Sequence, residues 1–451
     1  MMQKNDLLTL ECLSLGANME GVCRANGMAV FVPGMLPGET APVRLVKVQS
    51  RFAYGILAGA VDSPSAARVR PDCPAFPRCG GCSCRHMNYG ATLQWKQKQV
   101  QDCFHSIAHL DVDVLPTLGM DEPLHFRNKS SYPIGGTAEN PFLGFFAPRS
   151  HRIIPVDSCP NSMLPADAIC HAFLAWMHSH RISPYDEETQ TGLLRHLVIR
   201  INQDHHAMVT LVATHRDVPH LDALVDALKP LSVDTVVLNE NRKNTNVILG
   251  EHYHTIFGSG VLCDRILGVT FEISSASFFQ VNVPQAEKLY EKAIAFAHLT
   301  PQDRVLDLYC GAGTISLCMA RYCQEVIGIE VVPQAIENAQ RNCERNSIRN
   351  AQFHAGKAED ILPRLVRKGL KPDVIVVDPP RKGLDPIVIQ SMIQVAPQRL
   401  VYVSCNPATL ARDIRFFVDA GYGIQAIQPV DMFGYASDVE TVVELTLAHT
   451  A

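Results

Sequence analysis

Cys405 closes an apolar run, Arg399-Leu-Val-Tyr-Val-Ser404, and Asn406-Pro407 follows at once. A buried strand that delivers one thiol into a turn sets a nucleophile at the edge of a sheet; without such neighbours a cysteine is a small apolar side chain. A second apolar run, Asp373-Val-Ile-Val-Val377, ends in Asp378-Pro-Pro-Arg-Lys-Gly383. Parallel strands that end side by side build sites from the residues just beyond them, so Asp378 and Cys405 are expected together. A third run, Arg304-Val-Leu-Asp-Leu308, leads into Tyr309-Cys-Gly-Ala-Gly-Thr-Ile-Ser316. That glycine turn opens a helix and can carry a nucleotide-like ligand. Ser316 stands at the third glycine position of a dinucleotide fingerprint, and Glu330, closing the next strand, suits both hydroxyls of a ribose. With no pyrophosphate to cradle, the pattern fits S-adenosylmethionine better than NAD.

The acceptor follows from the nucleophile. Methylation of an exocyclic amine calls for an aromatic residue after Asp-Pro-Pro, and here Arg381 follows. Carbon is the acceptor that remains. C5 of uracil is a poor nucleophile, but a thiolate adding at C6 makes an enolate whose C5 attacks a methyl group on sulfonium sulfur. A base must then take the C5 proton so that the thiolate leaves. Glu440, just before the last apolar run, is the expected base. Taken alone it would be an exposed carboxylate at a strand end.

Cys73, Cys79 and Cys82 make a Cys-x5-Cys-x2-Cys spacing whose Gly80-Gly81 lets the backbone wrap round an inorganic centre. The chain has fifteen cysteines. The N-terminus lacks an apolar signal core and no run approaches the ~18 residues of a bilayer span, so a cytosolic protein with reduced thiols is expected. Metal or catalysis then comes before disulfides. The fourth ligand is open between Cys159, which precedes a proline, and the nearby Cys84. Structural zinc usually brings two paired Cys-x2-Cys knuckles and only one is clear, so [4Fe-4S] is preferred to zinc, with ordinary reduced thiols as the bland alternative.

These groups need a scaffold. From residue 276 strands and helices alternate, as in a doubly wound α/β sheet, and two apolar runs close the chain as a hairpin. Residues 1–66 carry short β-type runs split by Gly and Pro, which suit a small barrel. Residues 67–275 mix strands and helices around the cysteines, with helical spacing over 89–110. Lys plus Arg number 40 against 45 Asp plus Glu, a formal charge of -5, so any surface for nucleic acid is local. The stretch 125–152 is such a place, with four Arg or Lys and several aromatics against one acid, although a solvated charged face reads the same way.

Together these residues resemble the bacterial RNA uracil-5-methyltransferases, in particular the branch acting on 23S rRNA. The likeness covers nearly the whole chain: Gly21-Val-Cys-Arg24 through Val32-Pro-Gly-Met-Leu-Pro-Gly-Glu39, the cysteine pattern, Phe126-Arg-Asn-Lys129, Phe278-Phe-Gln-Val-Asn282, Asp378 to Gly383 and Ser404-Cys-Asn-Pro407 come in the family's order. The resemblance implies three parts. They are an N-terminal OB-like TRAM barrel that binds RNA, a central α+β domain with a [4Fe-4S] cluster on Cys73, Cys79, Cys82 and Cys159, and a Rossmann-like class I methyltransferase domain. It implies Cys405 as nucleophile, Glu440 as proton acceptor, and Gln280, Tyr309, Glu330 and Asp378 lining the methyl-donor site, with Thr314 standing where many members have Asn. One departure concerns the base. The family usually has Phe-Pro-His-Thr-x-His-hydrophobe-Glu, where this chain has Phe433-Gly-Tyr-Ala-Ser-Asp-Val-Glu440.

The expected activity is therefore S-adenosylmethionine-dependent formation of 5-methyluridine in 23S rRNA by a monomeric protein, on a base flipped out of its stack. One rival is the tRNA T-loop, whose enzymes commonly lack both barrel and cluster. The other is a non-catalytic RNA-binding or ribosome assembly factor, which the altered stretch Gly434–Asp438 would suit and which Cys405 and Asp378 oppose.

Overall fold

The computed structural model describes residues 2–448. Strands β1 (Leu7–Leu15), β2 (Gly21–Ala25), β3 (Met28–Val32), β4 (Thr40–Val48) and β5 (Phe52–Leu57) close into a barrel in the order β1-β2-β3-β5-β4. Alternate residues fill it, among them Leu10, Cys12, Val30, Val43 and Leu45. β1 and β2 add to the runs legible in the sequence. The following linker is tied back by Arg68, which pairs with the buried Glu39 carboxylate.

Helix α1 (Tyr89–Cys103) starts where Asn88 Oδ1 accepts the Ala91 N–H at 2.8 Å. It turns Val100 inward with Phe104 and Ala108 against Leu410, Ile414 and Phe417, so it belongs to the core of the C-terminal sheet. The segment between holds a seven-stranded sheet built from β6 (Lys129–Gly136), β7 (Pro141–Phe146), β8 (Ile153–Pro155), β9 (Leu194–Ile201), β10 (Ala207–Ala213), β11 (Val233–Glu240) and β12 (His252–Phe257), in the order β12-β11-β10-β9-β6-β7-β8. Helices α2 (Pro165–Ser179) and α3 (Leu221–Leu228) cover it through Phe173, Trp176 and Leu224. A hairpin of β13 (Val261–Ile266) and β14 (Val269–Ser274) follows.

The C-terminal unit opens with α4 (Val283–Ala297) and then alternates β15 (Arg304–Leu308), α5 (Thr314–Met319), β16 (Glu325–Glu330), α6 (Pro333–Arg345), β17 (Ala351–Ala355), α7 (Ala358–Arg367), β18 (Val374–Val377), α8 (Pro386–Val395), β19 (Arg399–Ser404) and α9 (Pro407–Asp419) before β20 (Tyr422–Val430) and β21 (Glu440–Leu447). The sheet order is β17-β16-β15-β18-β19-β21-β20, a doubly wound arrangement in which only the pairings of β21 are antiparallel. The strand order reverses between β15 and β18, where such sheets open a crevice beyond their carboxyl ends. Val374 to Val377 are all fully buried, because helices cover both faces of a parallel sheet. The closing hairpin has an unexpected placement: its second strand, not its first, lies against β19. No helix among the described residues is long and apolar enough to cross a membrane.

Candidate active site and cysteine cavity

Asp378 follows β18 and Cys405 follows β19, and these strands are parallel neighbours with Val377 opposite Tyr402. β21 runs back along β19 with Thr441 opposite Ser404, so Glu440 arrives beside Cys405 from the opposite direction. The three groups feel one another. Burial first, then Asp378 and Asp438, push the Glu440 carboxyl up to about 8. Burial raises Asp378 to about 7 although part of its surface stays in the crevice. Burial, then Glu440 and Asp378, push the Cys405 thiol up to about 11, with Arg381 opposing them. In the free protein these surroundings favour the thiol of Cys405 and the neutral acid of Glu440. A cation brought among these groups ionises the carboxyls and favours the thiolate.

The other expected residues lie at the carboxyl ends of β15 and β16 and in the segment leading into α4. Tyr309 holds a left-handed backbone, φ 67°, at the end of β15, and the Gly311 N–H donates to Glu330 Oε2 at 3.2 Å. Val332 N–H donates to Glu330 Oε1 at 2.9 Å, fixing the carboxylate that would meet a ribose. Thr314 accepts the Tyr290 hydroxyl at 3.1 Å, and Tyr290 lies against Gln280 and near Asp378. Two residues here escape a reading of the sequence. Tyr290 sits at a core position of an amphipathic helix, and Asp307 lies inside an otherwise apolar strand. The Ser316 hydroxyl donates to Asp307 Oδ2 at 2.5 Å, while Asp307 Oδ1 is buried with no partner among the described residues. Burial pushes that carboxyl up to about 7. An orphaned buried acceptor in a crevice of raised carboxyls fits a ligand bearing ammonium and sulfonium groups, as S-adenosylmethionine does.

Neighbouring elements lock this geometry. Asn128 donates to Gln280 O at 2.9 Å and Arg200 to Ser277 O at 2.9 Å, which pins the loop carrying Gln280 to the central sheet. On α1 the wholly buried Lys96 meets the wholly buried Asp431, Nζ to Oδ1 2.5 Å, and also donates to Phe433 O at 3.0 Å. Tyr89 donates to the other Asp431 oxygen at 2.7 Å. Removing one partner leaves a buried uncompensated charge. Lys96→Met is expected to cost about 3–5 kcal/mol, read as a lowered urea midpoint or Tm, and an unchanged midpoint would refute the pair's structural role.

Cys73, Cys79, Cys82 and Cys159 line one cavity of about 280 Å³ with Arg85, Arg127 and Asn161. Burial raises the Cys79 thiol and the three other cysteines push it further. Cys84, the competing fourth ligand, is buried instead with Met19, Leu36 and Met87. The Gly81 N–H points at Cys79 Sγ, 3.3 Å away, and Asn161 Nδ2 at Cys82 Sγ, 3.4 Å away, as donors do around metal-bound thiolates. Among the described residues no group of three or more His, Cys, Asp or Glu is placed to hold a metal ion, so the expected cluster is not shown by the geometry.

Comparison with known proteins agrees with this geometry. The family model described as tRNA (Uracil-5-)-methyltransferase matches residues 88–448, and the TRAM domain model matches residues 8–58. The chain is 41% identical over 448 residues to an uncharacterized RNA methyltransferase of Halalkalibacterium halodurans, covering 98% of each. It is 42% identical over 449 residues to another from Oceanobacillus iheyensis, covering 98% of this chain and 97% of that one. Among solved structures it is similar to the Pyrococcus abyssi tRNA (uracil-54, C5)-methyltransferase in complex with S-adenosyl-L-homocysteine, with TM-score 0.77, 25% identity, and coverage of 97% of this chain and 100% of that one. A thiol and carboxyls at the carboxyl edge of a doubly wound sheet, behind an N-terminal barrel, are accounted for together: this chain is an RNA methyltransferase belonging to the uracil-5-methyltransferase family, with a TRAM domain at its N-terminal end.

Proposed function

We propose that the protein converts a uridine of 23S rRNA to 5-methyluridine, with Cys405 as nucleophile and Glu440 as the proton acceptor. The observation that carries this reading is the convergence of Cys405, Glu440 and Asp378 from β19, β21 and the end of β18. S-adenosylmethionine supplies the methyl group as a sulfonium cation. Glu330 would take the ribose hydroxyls, and Gln280, Tyr309, Thr314 and Asp378, with Asp307, would line the rest of the donor site. Cys405, its proton released to solvent as positive charge in the site favours the thiolate, bonds through Sγ to C6 of a flipped uracil; C5 of the resulting enolate takes the methyl group and the donor sulfur leaves as a neutral thioether. Glu440, ionised once positive charge has entered the site, takes the C5 proton. The C6–S bond then breaks as the C5–C6 double bond re-forms, and Cys405 is regenerated.

Cys73, Cys79, Cys82 and Cys159 would hold a [4Fe-4S] cluster, a reading supported by the all-sulfur donor set and the shared cavity. The barrel and the basic stretch 125–152 would bind RNA backbone.

A tRNA uridine is the second reading. The solved tRNA enzyme matches 97% of this chain, so possession of an N-terminal barrel does not by itself separate the two substrates. What supports rRNA is the cysteine pattern, which the resemblance gives to the rRNA branch. Anaerobically purified protein, labelled S-adenosylmethionine, and unmodified 23S rRNA and tRNA decide between them, with the modified positions mapped. Methyl at C5 of a 23S uridine, with about four iron and four sulfide per chain, is expected. Methyl on tRNA alone would replace the substrate, and absence of iron and sulfide would remove the cluster.

A further inference from the structure

Several tethers hold residues 431–440, the stretch that delivers Glu440, among them Asn282 Nδ2 donating to Met432 O at 3.2 Å. Asp431 is clamped by Lys96 and Tyr89, and Asp438 pairs with Arg381. Between them Tyr435 is held by the cysteine loop itself. The Ser83 and Cys84 N–H groups both donate to Tyr435 O, at 2.8 and 3.1 Å. The Arg85 guanidinium lies 4.7 Å from the centre of the Tyr435 ring. Arg85 is buried, and its remaining contacts belong to the cysteine cavity: it pairs with Asp72, donates to Asn161 Oδ1 at 2.7 Å and reaches Cys82 Sγ. Tyr435 adopts φ 61°, a left-handed backbone that a tyrosine keeps only when its surroundings over-determine it.

We propose that the cysteine loop is a positioning element for Glu440 and acts through Tyr435. Two N–H groups on one carbonyl and a guanidinium over the ring fix the midpoint of the stretch. Tyr435 and Asp438 stand where the resembled family carries its two histidines, and each makes a contact that bridges to another loop. The loop that wraps the cysteine cavity thereby also sets where the base sits. This rests on the reading of Glu440 as proton acceptor.

The test separates formation of the covalent intermediate from its resolution. On a transcript that the parent protein methylates, C5 carries hydrogen and Glu440 must remove it as a proton. With 5-fluorouridine at that position the C6–S bond forms and the methyl group transfers, but fluorine cannot leave as a cation, so the adduct persists. In the full-length protein Tyr435→Ala is expected to lower kcat on the order of ten- to hundredfold, with KM for RNA and donor changed less than about twofold. The yield of 5-fluorouridine adduct should match the parent's. Tyr435→Phe, which keeps the ring beneath Arg85 that Tyr435→Ala removes, should restore kcat. Hydrogen exchange read by mass spectrometry should quicken over residues 434–439 in Tyr435→Ala. Parental kcat in Tyr435→Ala, unchanged exchange over those residues, or a loss of adduct matching the loss of kcat would each overturn the proposal. A parent protein that forms no adduct at all would remove the covalent reading and this inference with it.

Discussion

Cys405→Ala is expected to lower methylation on the order of 10⁴-fold or more without unfolding the protein. The thiol is half-buried just past β19, its neighbours tolerate a smaller side chain, and the strand itself is held by β18 and β21. The loss should fall on kcat, with S-adenosylmethionine binding retained, because most residues proposed to hold the donor lie on β15, β16 and the segment leading into α4 rather than on β19. Equilibrium binding of labelled donor beside single-turnover methylation checks both halves. Retained methylation in Cys405→Ala would reject the nucleophile assignment whatever the fold.

Glu440→Gln should give a different phenotype, and the difference is the informative part. The amide keeps the shape of the side chain but cannot take the C5 proton, so kcat should fall about 10²- to 10³-fold while the covalent protein–RNA complex accumulates on ordinary uridine. Denaturing gel electrophoresis of the reaction with labelled RNA shows whether it does. The pH dependence follows from the same group. Burial and the neighbouring acids raise Glu440 to about 8 in the free protein, and positive charge in the site brings it down. The base form is lost as pH falls through the value in the complex, so kcat should decline on the acid side in the parent. That limb should be absent in Glu440→Gln. An unaltered acid limb in the variant would assign it to another group, Cys405 first, since its thiol must ionise and is raised to about 11, then Asp378 and Asp307, both raised to about 7.

The parts of the site that lie at strand ends are legible in the amino-acid order. Alternating apolar runs mark parallel strands, and the residues immediately after them, Tyr309, Glu330, Asp378 and Cys405, fall at one sheet edge because of that alternation. The barrel is legible from short β-type runs split by Gly and Pro, although Leu7–Leu15 and Gly21–Ala25 are not among them. Tyr290 and Asp307 are not legible as site residues, since a tyrosine on an amphipathic helix and an acid inside a strand carry no local signal of a ligand.

By itself, then, the amino-acid order marked the alternating strands and helices of the C-terminal sheet, the glycine turn after β15 and the thiol after β19, since these depend on patterns a few residues long. Only the tertiary structure decided that β21 enters the sheet between β19 and β20, which brings Glu440 across from Cys405. It alone decided that Cys159 turns into the cavity of Cys73, Cys79 and Cys82 while Cys84 turns away into an apolar cluster. It alone joined Arg85 to Tyr435 across the chain. The reason is physical: strand insertion and contacts between distant segments are set by how buried faces pack and how buried polar groups find partners, and neither leaves a period in the local sequence.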